Sequence, residues 1–373
     1  MDFEYTEEQR MLADSLRRYA AEGWTQTRRR AAEREGKGFD DANWTTLAEL
    51  GVLGLTVPAE AGGFGEGPAS LLPVHLELGR ALSGEPVIPS AVVSAAILSQ
   101  HGNDEQQQRW LPAIASGEAI VSLAYLERDR RFAAQPAKLT AAAQGDGVRL
   151  NGEKVLVWHG AAAQAWIVSA ADADGAASLY LVPADTAGVT VKTYPTMDGV
   201  RAADLVFTDV SLPASARIGA AGQGAAALET GLDHGIAALA AHAAGAMERL
   251  VEITVDYLRQ RKQFGVPLAK FQALQHRVAE MVIQKELAMS MACVAVAALT
   301  EEDAARRRRM VAGAKVVVAQ AGRFIGQEAV QLHGGMGMTD ELEVGDYFKR
   351  LTMVNPIFGD VDYQTARFSE AMQ

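Results

Sequence analysis

The hydrophobic period changes twice along this chain, from helical spacing to alternation and back, and that order leaves few architectures open. From Thr6 to about Leu123 the apolar residues fall at helical spacing, at Leu12, Leu16 and Tyr19, then Leu47, Leu50 and Leu53, then Leu71, Leu76 and Leu78. Loops rich in Gly and Pro separate these runs. Between roughly Ala124 and Gly224 the period falls toward two, as in Val148-Arg-Leu-Asn-Gly-Glu-Lys-Val-Leu-Val157, Ala165-Trp-Ile-Val168, Leu179-Tyr-Leu-Val182 and Asp204-Leu-Val-Phe207. Gly145-Asp-Gly147 and Asn151-Gly152 read as hairpin turns within that stretch. After Ala225 helical patterns return, broken near Gly265-Val-Pro267, around Thr300 and at Gly334-Gly335. The expected fold is α+β and mainly α. It has an N-terminal helical domain (1–123), a middle β-barrel or sheet domain (124–224) and a C-terminal four-helix bundle (225–373).

A chain of 373 residues with 49% hydrophobic residues can bury a large core. Its formal charge of -11 argues against a nucleic-acid partner, which would require clustered Lys and Arg. The basic run Arg306 to Arg309 follows Thr300-Glu-Glu-Asp303, which reads as a helix N-cap with acids in the first turn, and is read as a solvated helix face. The single cysteine, Cys293, cannot form an intrachain disulfide, which fits a reducing, cytoplasmic location. At the N-terminus Thr6 and Gln9 make a capping-box pattern, with no secretory signal ahead of it. No run of about 18 apolar residues is free of charge, so no membrane span is expected. No metal site is assigned.

The most informative string is Tyr257-Leu-Arg-Gln-Arg-Lys-Gln-Phe-Gly-Val-Pro-Leu-Ala-Lys-Phe-Gln-Ala-Leu-Gln275. Leu250, Ile253, Tyr257 and Leu258 carry one helical face until Gly265 and Pro267 break it, which places Arg261 and Lys262 in a last turn. Cations there complement the helix dipole, the ordinary reading of such a pair. The functional reading is an anion grip, because a planar guanidinium pairs bidentately with phosphate oxygens at any working pH. A second string, Gln331-Leu-His-Gly-Gly-Met-Gly-Met338, follows a helix carrying Val316, Val317, Phe324, Ile325 and Val330. Its glycines serve either as a helix cap or as a loop whose backbone N–H groups approach an anion.

Together, and in this order, Arg261, Gln263, Phe264, Gly265, Pro267, Phe271, Gln272 and Gln275, then Gln331, Gly334 and Gly335, resemble signatures of the acyl-CoA dehydrogenase family. Tyr194-Pro-Thr-Met-Asp-Gly-Val-Arg-Ala-Ala203 and Tyr347-Phe-Lys-Arg-Leu-Thr-Met353 add a likeness to the pimeloyl-CoA dehydrogenase small-subunit group, whose members are paired with a large subunit. The resemblance implies FAD as cofactor, held mainly by a neighbouring subunit, with Arg261 at its pyrophosphate, Phe264 near its adenosine half, and Gln263, Gln331, Gly334 and Gly335 alongside. It also implies an acyl-CoA substrate and an electron-transfer flavoprotein as acceptor. The assembly it implies is either a homo-oligomer or a hetero-oligomer with a related large subunit.

In the middle domain the family's flavin-covering segments correspond to Leu123-Ala-Tyr-Leu-Glu-Arg128 and Asn151-Gly-Glu-Lys-Val-Leu-Val-Trp-His-Gly160. Trp158 stands where the family has a ring-contacting threonine, with His159 next. They are either flavin contacts or a strand-end aromatic and a satisfied loop histidine. Arg128, Arg130 and Arg131 replace a small Gly- and Ser-rich turn near the expected substrate mouth. Solvated surface charge is one reading. Pairing of Arg130 and Arg131 with coenzyme A phosphates or a distal acyl carboxylate is the other.

The chemistry of the family needs a carboxylate to take the α-proton. Counted forward from the glycine loop, the usual Glu falls on Phe358. Counted back from Arg261, the alternative position falls on Gly235. Three accounts follow, in this order: Asp360 or Asp362 is a displaced base, with Asp360 favoured because it follows Gly359; a partner chain supplies the competent site; or the chain performs another flavin reaction, as an oxidase or monooxygenase. A fourth reading removes catalysis altogether and leaves an assembly subunit that completes a partner's FAD site. The ordinary role for Asp360 is a helix N-cap.

Overall fold

A computed structural model of the chain describes residues 5–135 and 138–372, Glu35 by its backbone only. Six helices come first: α1 (Glu7–Gly23), α2 (Gln26–Glu35), α3 (Asp41–Glu49), α4 (Leu71–Arg80), α5 (Ala95–His101) and α6 (Asp104–Ala115). Eight strands follow: β1 (Val121–Ala124), β2 (Thr140–Gln144), β3 (Gly147–Trp158), β4 (Ala165–Ala171), β5 (Ala177–Pro183), β6 (Val189–Pro195), β7 (Arg201–Leu212) and β8 (Arg217–Ile218). The chain then runs through α7 (Gly224–Gln260), a hairpin of β9 (Lys262–Gln263) and β10 (Val266–Pro267), and α8 (Gln272–Ala298), α9 (Ala304–His333), α10 (Val344–Val354) and α11 (Val361–Glu370). The order of periods read from the sequence is the order of elements in the fold.

Contacts divide the chain into two units. One comprises Met1–Gln26, Pro68–Ser83 and Ile236–Gln373, the other Thr27–Gly67 and Gly84–Gly235. In the first unit α1 and α4 therefore pack with the C-terminal helices. Thr6 and Gln9 form the capping box that opens α1. Asp303 caps α9, which starts at Ala304, so Glu301 and Glu302 precede the helix and its first turn holds no acid, contrary to expectation. α4 lies backbone to backbone on α7. A Cβ on Gly79 would fall 1.8 Å from the His242 carbonyl oxygen, and one on Gly245 would fall 2.0 Å from that of Leu76. Only glycine allows that approach. The alanines of α7, Ala237, Ala238, Ala240, Ala241, Ala243, Ala244 and Ala246, are fully buried, as a helix apolar all round requires. Arg80, donating to Glu248 at 2.6 Å and Glu252 at 2.9 Å, ties the same two helices. α8 is long and apolar enough by length and composition to cross a membrane, although only 33% of its most apolar window is buried. It packs along α9 through small residues, Ala288, Ala292 and Ala295 among them.

The second unit is built on an eight-stranded sheet of order β6-β7-β3-β2-β4-β5-β8, with β1 added parallel to β4. β4 is buried throughout and β6 is an exposed edge. Gly145-Asp146 makes the two-residue turn between β2 and β3, as expected. Asn151-Gly152 does not turn the chain. It lies inside β3 at a register shift, with Gly152 at φ +139°. A Cβ there would meet the Leu139 Cα at 2.6 Å, so this glycine serves close strand approach rather than reversal. Nearby, the buried Lys154 ammonium donates to Glu127 at 2.9 Å, and Glu127 also accepts from the backbone N–H groups of Lys138 and Leu139. The segment Val87–Ser94 forms a fully buried π-helix that the sequence pattern does not announce. Its Ser90 hydroxyl accepts from the Val121 N–H, and its Ser94 hydroxyl donates to the Val121 carbonyl.

Candidate active site

α7 ends at Gln260, and the Arg261 N–H still donates to the Tyr257 carbonyl at 2.8 Å. Arg261 thus follows the helix instead of sitting in its last turn. Residues 262–267 fold back at once: Gln263 pairs with Val266 and Lys262 with Pro267. Phe264 and Gly265 form the turn, both left-handed at φ +54° and +80°. Two left-handed residues are what a type I′ hairpin needs, and Gly265 suits it where Phe264 does not. The turn holds Phe264 91% exposed, edge-on to Phe271 with ring centres 6.1 Å apart. Arg261 and Gln263 are exposed beside it.

The second string ends α9. Gly334, at φ +58°, stops the helix, and Gln331, Gly334 and Gly335 are exposed. Tyr257 stacks on His333 with ring centres 4.3 Å apart and planes 29° from parallel, and its hydroxyl donates to the His333 carbonyl at 3.3 Å. This stack is what brings the two sequence strings together in the first unit. His333 Nδ1 lies 2.8 Å from the Ala329 carbonyl, which can only accept, so Nδ1 carries the proton. Burial lowers the imidazole pKa and keeps the ring neutral, leaving the buried Nε2 lone pair without a hydrogen-bond partner among the described residues. A guanidinium, an amide, an exposed aromatic and a glycine backbone form a donor and stacking set that suits a dinucleotide pyrophosphate and its adenosine.

Neither position that the resemblance assigns to the base carries a carboxylate. Phe358 is left-handed, at φ +59°, and packs against the buried cluster of Ile236, Ala298 and Val311, beside Met310. Gly235 has no side chain to offer. Asp360 is the N-cap of α11, accepting from the Tyr363 N–H at 2.9 Å, and Asp362 lies in the first turn of that helix. The loop before Asp360 is held by Lys315. This fully buried ammonium donates to the carbonyls of Val354 (2.7 Å), Asn355 (3.0 Å) and Gly359 (2.9 Å). Burial draws its pKa down to about 7, against the opposing pull of Asp360.

The remaining candidates belong to the second unit. In β3 a second register shift leaves Leu156 at φ +53°, its N–H shared between the Tyr194 hydroxyl and Asp204. This bulge re-aims the strand end at Trp158. The Trp158 and His159 rings lie 6.0 Å apart at 25°, and Phe39 meets His159 edge-on at 5.7 Å, so the His159 ring is buried between two aromatics while Trp158 is half-buried. Arg128 is paired with Glu153 at 3.5 Å and Asp204 at 3.1 Å. Arg130 and Arg131 are exposed on the following turn, with Arg131 at φ +48° and its guanidinium 5.7 Å from the Phe132 ring centre.

Sequence reasoning passed over Lys315, Glu127 with Lys154, and the Tyr257–His333 stack. The first had a signal. Lys315 falls four after Val311 and three before Val318, on the buried stripe of α9, where an unpaired lysine does not belong.

Comparison with known proteins covers the whole chain. Family models match residues 6–118, 123–210 and 222–373, as the N-terminal, middle and C-terminal domains of acyl-CoA dehydrogenase. A probable acyl-CoA dehydrogenase, YngJ, from Bacillus subtilis is 30% identical over 92% of both chains. The human mitochondrial short-chain specific acyl-CoA dehydrogenase is 29% identical over 83% of this chain and 77% of that one. Among solved structures, a Tcur3481–Tcur3483 steroid ACAD variant superposes with a TM-score of 0.90 at 30% identity over 98% of each chain. The ChsE4–ChsE5 complex from Mycobacterium tuberculosis does so at 0.90 and 27% over 100% and 99%. The fold, the two motif strings and these matches agree: the chain belongs to the acyl-CoA dehydrogenase family, flavoenzymes that use FAD to dehydrogenate acyl-CoA thioesters.

Proposed function

We propose that this chain serves as one subunit of a heteromeric acyl-CoA dehydrogenase, with the α-proton taken by a carboxylate on a related subunit. The observation that carries this reading is Phe358. It fills the position of the usual base and turns its ring into the Ile236, Ala298 and Val311 cluster. Asp360, the nearest alternative, is engaged in capping α11. A general base needs a free carboxylate within reach of the proton it removes. The exposed Phe264, together with exposed Val282, Ile283 and Leu287 on α8, supports an oligomer that covers them. Two of the similar solved structures also carry two-component names, Tcur3481–Tcur3483 and ChsE4–ChsE5.

A bound FAD would supply the acceptor for the hydride equivalent that leaves the β-carbon. Arg261 and Gln263 would hold, by charge and hydrogen bonding, the pyrophosphate of an FAD seated mainly in a neighbouring subunit, Phe264 would pack near its adenosine half, and Gln331, Gly334 and Gly335 would line the same anion. Within the second unit Trp158 would border the ring of a bound flavin, and His159 fixes its neighbour through their stack. Arg130 and Arg131 offer charge to coenzyme A phosphates or to a distal carboxylate of the acyl chain. The electrons leave to an electron-transfer flavoprotein.

The test is the visible spectrum and native mass of the chain purified alone and then with a co-expressed related subunit, followed by anaerobic titration with acyl-CoA thioesters. The proposal expects bleaching only with the partner. Bleaching of the chain alone by one thioester would overturn it and favour the second reading, Asp360 as a displaced base aimed by Gly359, whose φ is +101°. Asp360→Asn decides that reading, since Asn caps a helix as well as Asp and removes only the basicity. Unchanged turnover would eliminate Asp360.

A further inference from the structure

The loop between α10 and α11 is held far more tightly than a surface connection needs. Lys315 alone could be explained as a C-terminal cap, because Val354 and Asn355 end α10 and their carbonyls lack helical partners. Its third donor, however, crosses the loop to the Gly359 carbonyl. From the other side the buried Gln364 amide donates to the Phe358 carbonyl at 2.6 Å. The Asn355 side chain accepts from the Val361 N–H at 3.1 Å, and Asp360 accepts from Tyr363. A Cβ on Gly359 would lie 2.5 Å from the Tyr363 ring, so α11 also closes on the loop backbone. One of these bonds, from Gln364, reaches Phe358 itself, and the others hold the backbone on both sides of it, where its left-handed conformation is one that a phenylalanine disfavours. Such a conformation persists where the surroundings over-determine it, and such sites concentrate where function is set.

We propose that Lys315, Asn355 and Gln364 are positioning residues. They hold position 358 left-handed with its side chain turned into the Ile236, Ala298 and Val311 cluster, so that the loop is a base seat whose scaffold has outlasted its carboxylate. The idea rests on the reading above that position 358 is the family's base position. The holding itself is independent of flavin, substrate and partner. A ring packing merely for its own apolar surface would need none of these three polar groups.

The experiment uses the full-length chain without flavin, acyl-CoA or partner. In a Cys293→Ser background, Phe358→Cys places a thiol at the position, and its reaction rate with an aromatic disulfide reagent reports where the side chain points. The expected rate is at least 100-fold below that of the unfolded chain. Adding Lys315→Met or Gln364→Met should raise it at least 10-fold at temperatures where the variants stay folded. Asn355→Leu should do the same, whereas Asn355→Asp, which keeps the acceptor, should leave the thiol protected. A thiol at 358 that reacts like an exposed one, or protection indifferent to Lys315, Gln364 and Asn355, overturns the proposal. If the cysteine variant does not fold, hydrogen exchange at the amides of residues 357–363 decides in its place, in the parent chain and in Lys315→Met. Protection lost there but kept along α9 supports the proposal, and unchanged protection defeats it.

Discussion

Phe264→Asn should make the isolated chain more stable and a poorer holder of flavin. The residue occupies the first turn position of the β9–β10 hairpin at φ +54°, followed by Gly265 at +80°. A side chain with Cβ held left-handed costs about 1–2 kcal/mol, while Asn reaches that region at much smaller cost, and Asn-Gly is the favoured pair for this turn. Against this stands the edge contact with Phe271. Aromatic pairs are worth about 0.5–1.5 kcal/mol at best, and this one lies at the bottom of that range because Phe264 is 91% exposed. The balance is a gain of about 0.5–1 kcal/mol, or a melting midpoint higher by about 0.6–1.3 °C in a chain of this size. The assay pairs the melting midpoint of the flavin-free protein with the flavin retained per chain after gel filtration. The midpoint should rise while flavin affinity falls at least about tenfold, equivalent to about 1.4 kcal/mol. A lower midpoint would refute the strain argument. A higher midpoint with full flavin retention would refute the view that the strain serves the cofactor.

Three further outcomes are expected. Lys154→Met leaves the Glu127 carboxylate buried without its cation and should cost about 3–5 kcal/mol in denaturant titrations, much of it recovered by adding Glu127→Gln. Buried His75, whose pKa desolvation draws down from 6.5 to about 3, binds fewer protons folded than unfolded between those values. Its contribution is therefore complete above pH 6.5 and is lost as pH falls, by about 1.4 kcal/mol per pH unit, or about 2 kcal/mol at pH 5. His75→Met should accordingly narrow the gap between urea midpoints measured at pH 5 and pH 7, and an unchanged gap would exclude His75 as its source. With the loop scaffold intact, Phe358→Glu should confer exchange of the acyl-CoA α-proton in heavy water at least tenfold above the parent chain, and no exchange by a folded, substrate-binding variant would count against a preset seat.

The two motif strings were legible as family signatures because they are local. Arg261, Gln263 and Phe264 lie within four residues, and Gln331 to Gly335 within five, so the resemblance could be read without the fold. Their mutual placement was not legible, because it depends on Tyr257 stacking on His333, residues 76 positions apart. Asn151-Gly152 misled for a related reason. The same dipeptide that makes a hairpin turn also permits two strands to close on each other, and only Leu139, brought alongside by pairing, decides between them. That the positions expected for the base hold Phe358 and Gly235 could be counted from sequence, whereas the surroundings of Phe358 could not.

By itself the sequence determined the order of helical and β segments and the cap of α1, which follow from periodicity and short-range hydrogen bonding, and the family with its cofactor, which rest on the likeness of two motif strings. Tertiary structure alone decided that α1 and α4 join the C-terminal helices, that Lys315 is buried, and that Phe358 faces the core. Each of these is set by what distant segments place within a few ångströms, where desolvation and steric exclusion act and where linear spacing carries no information.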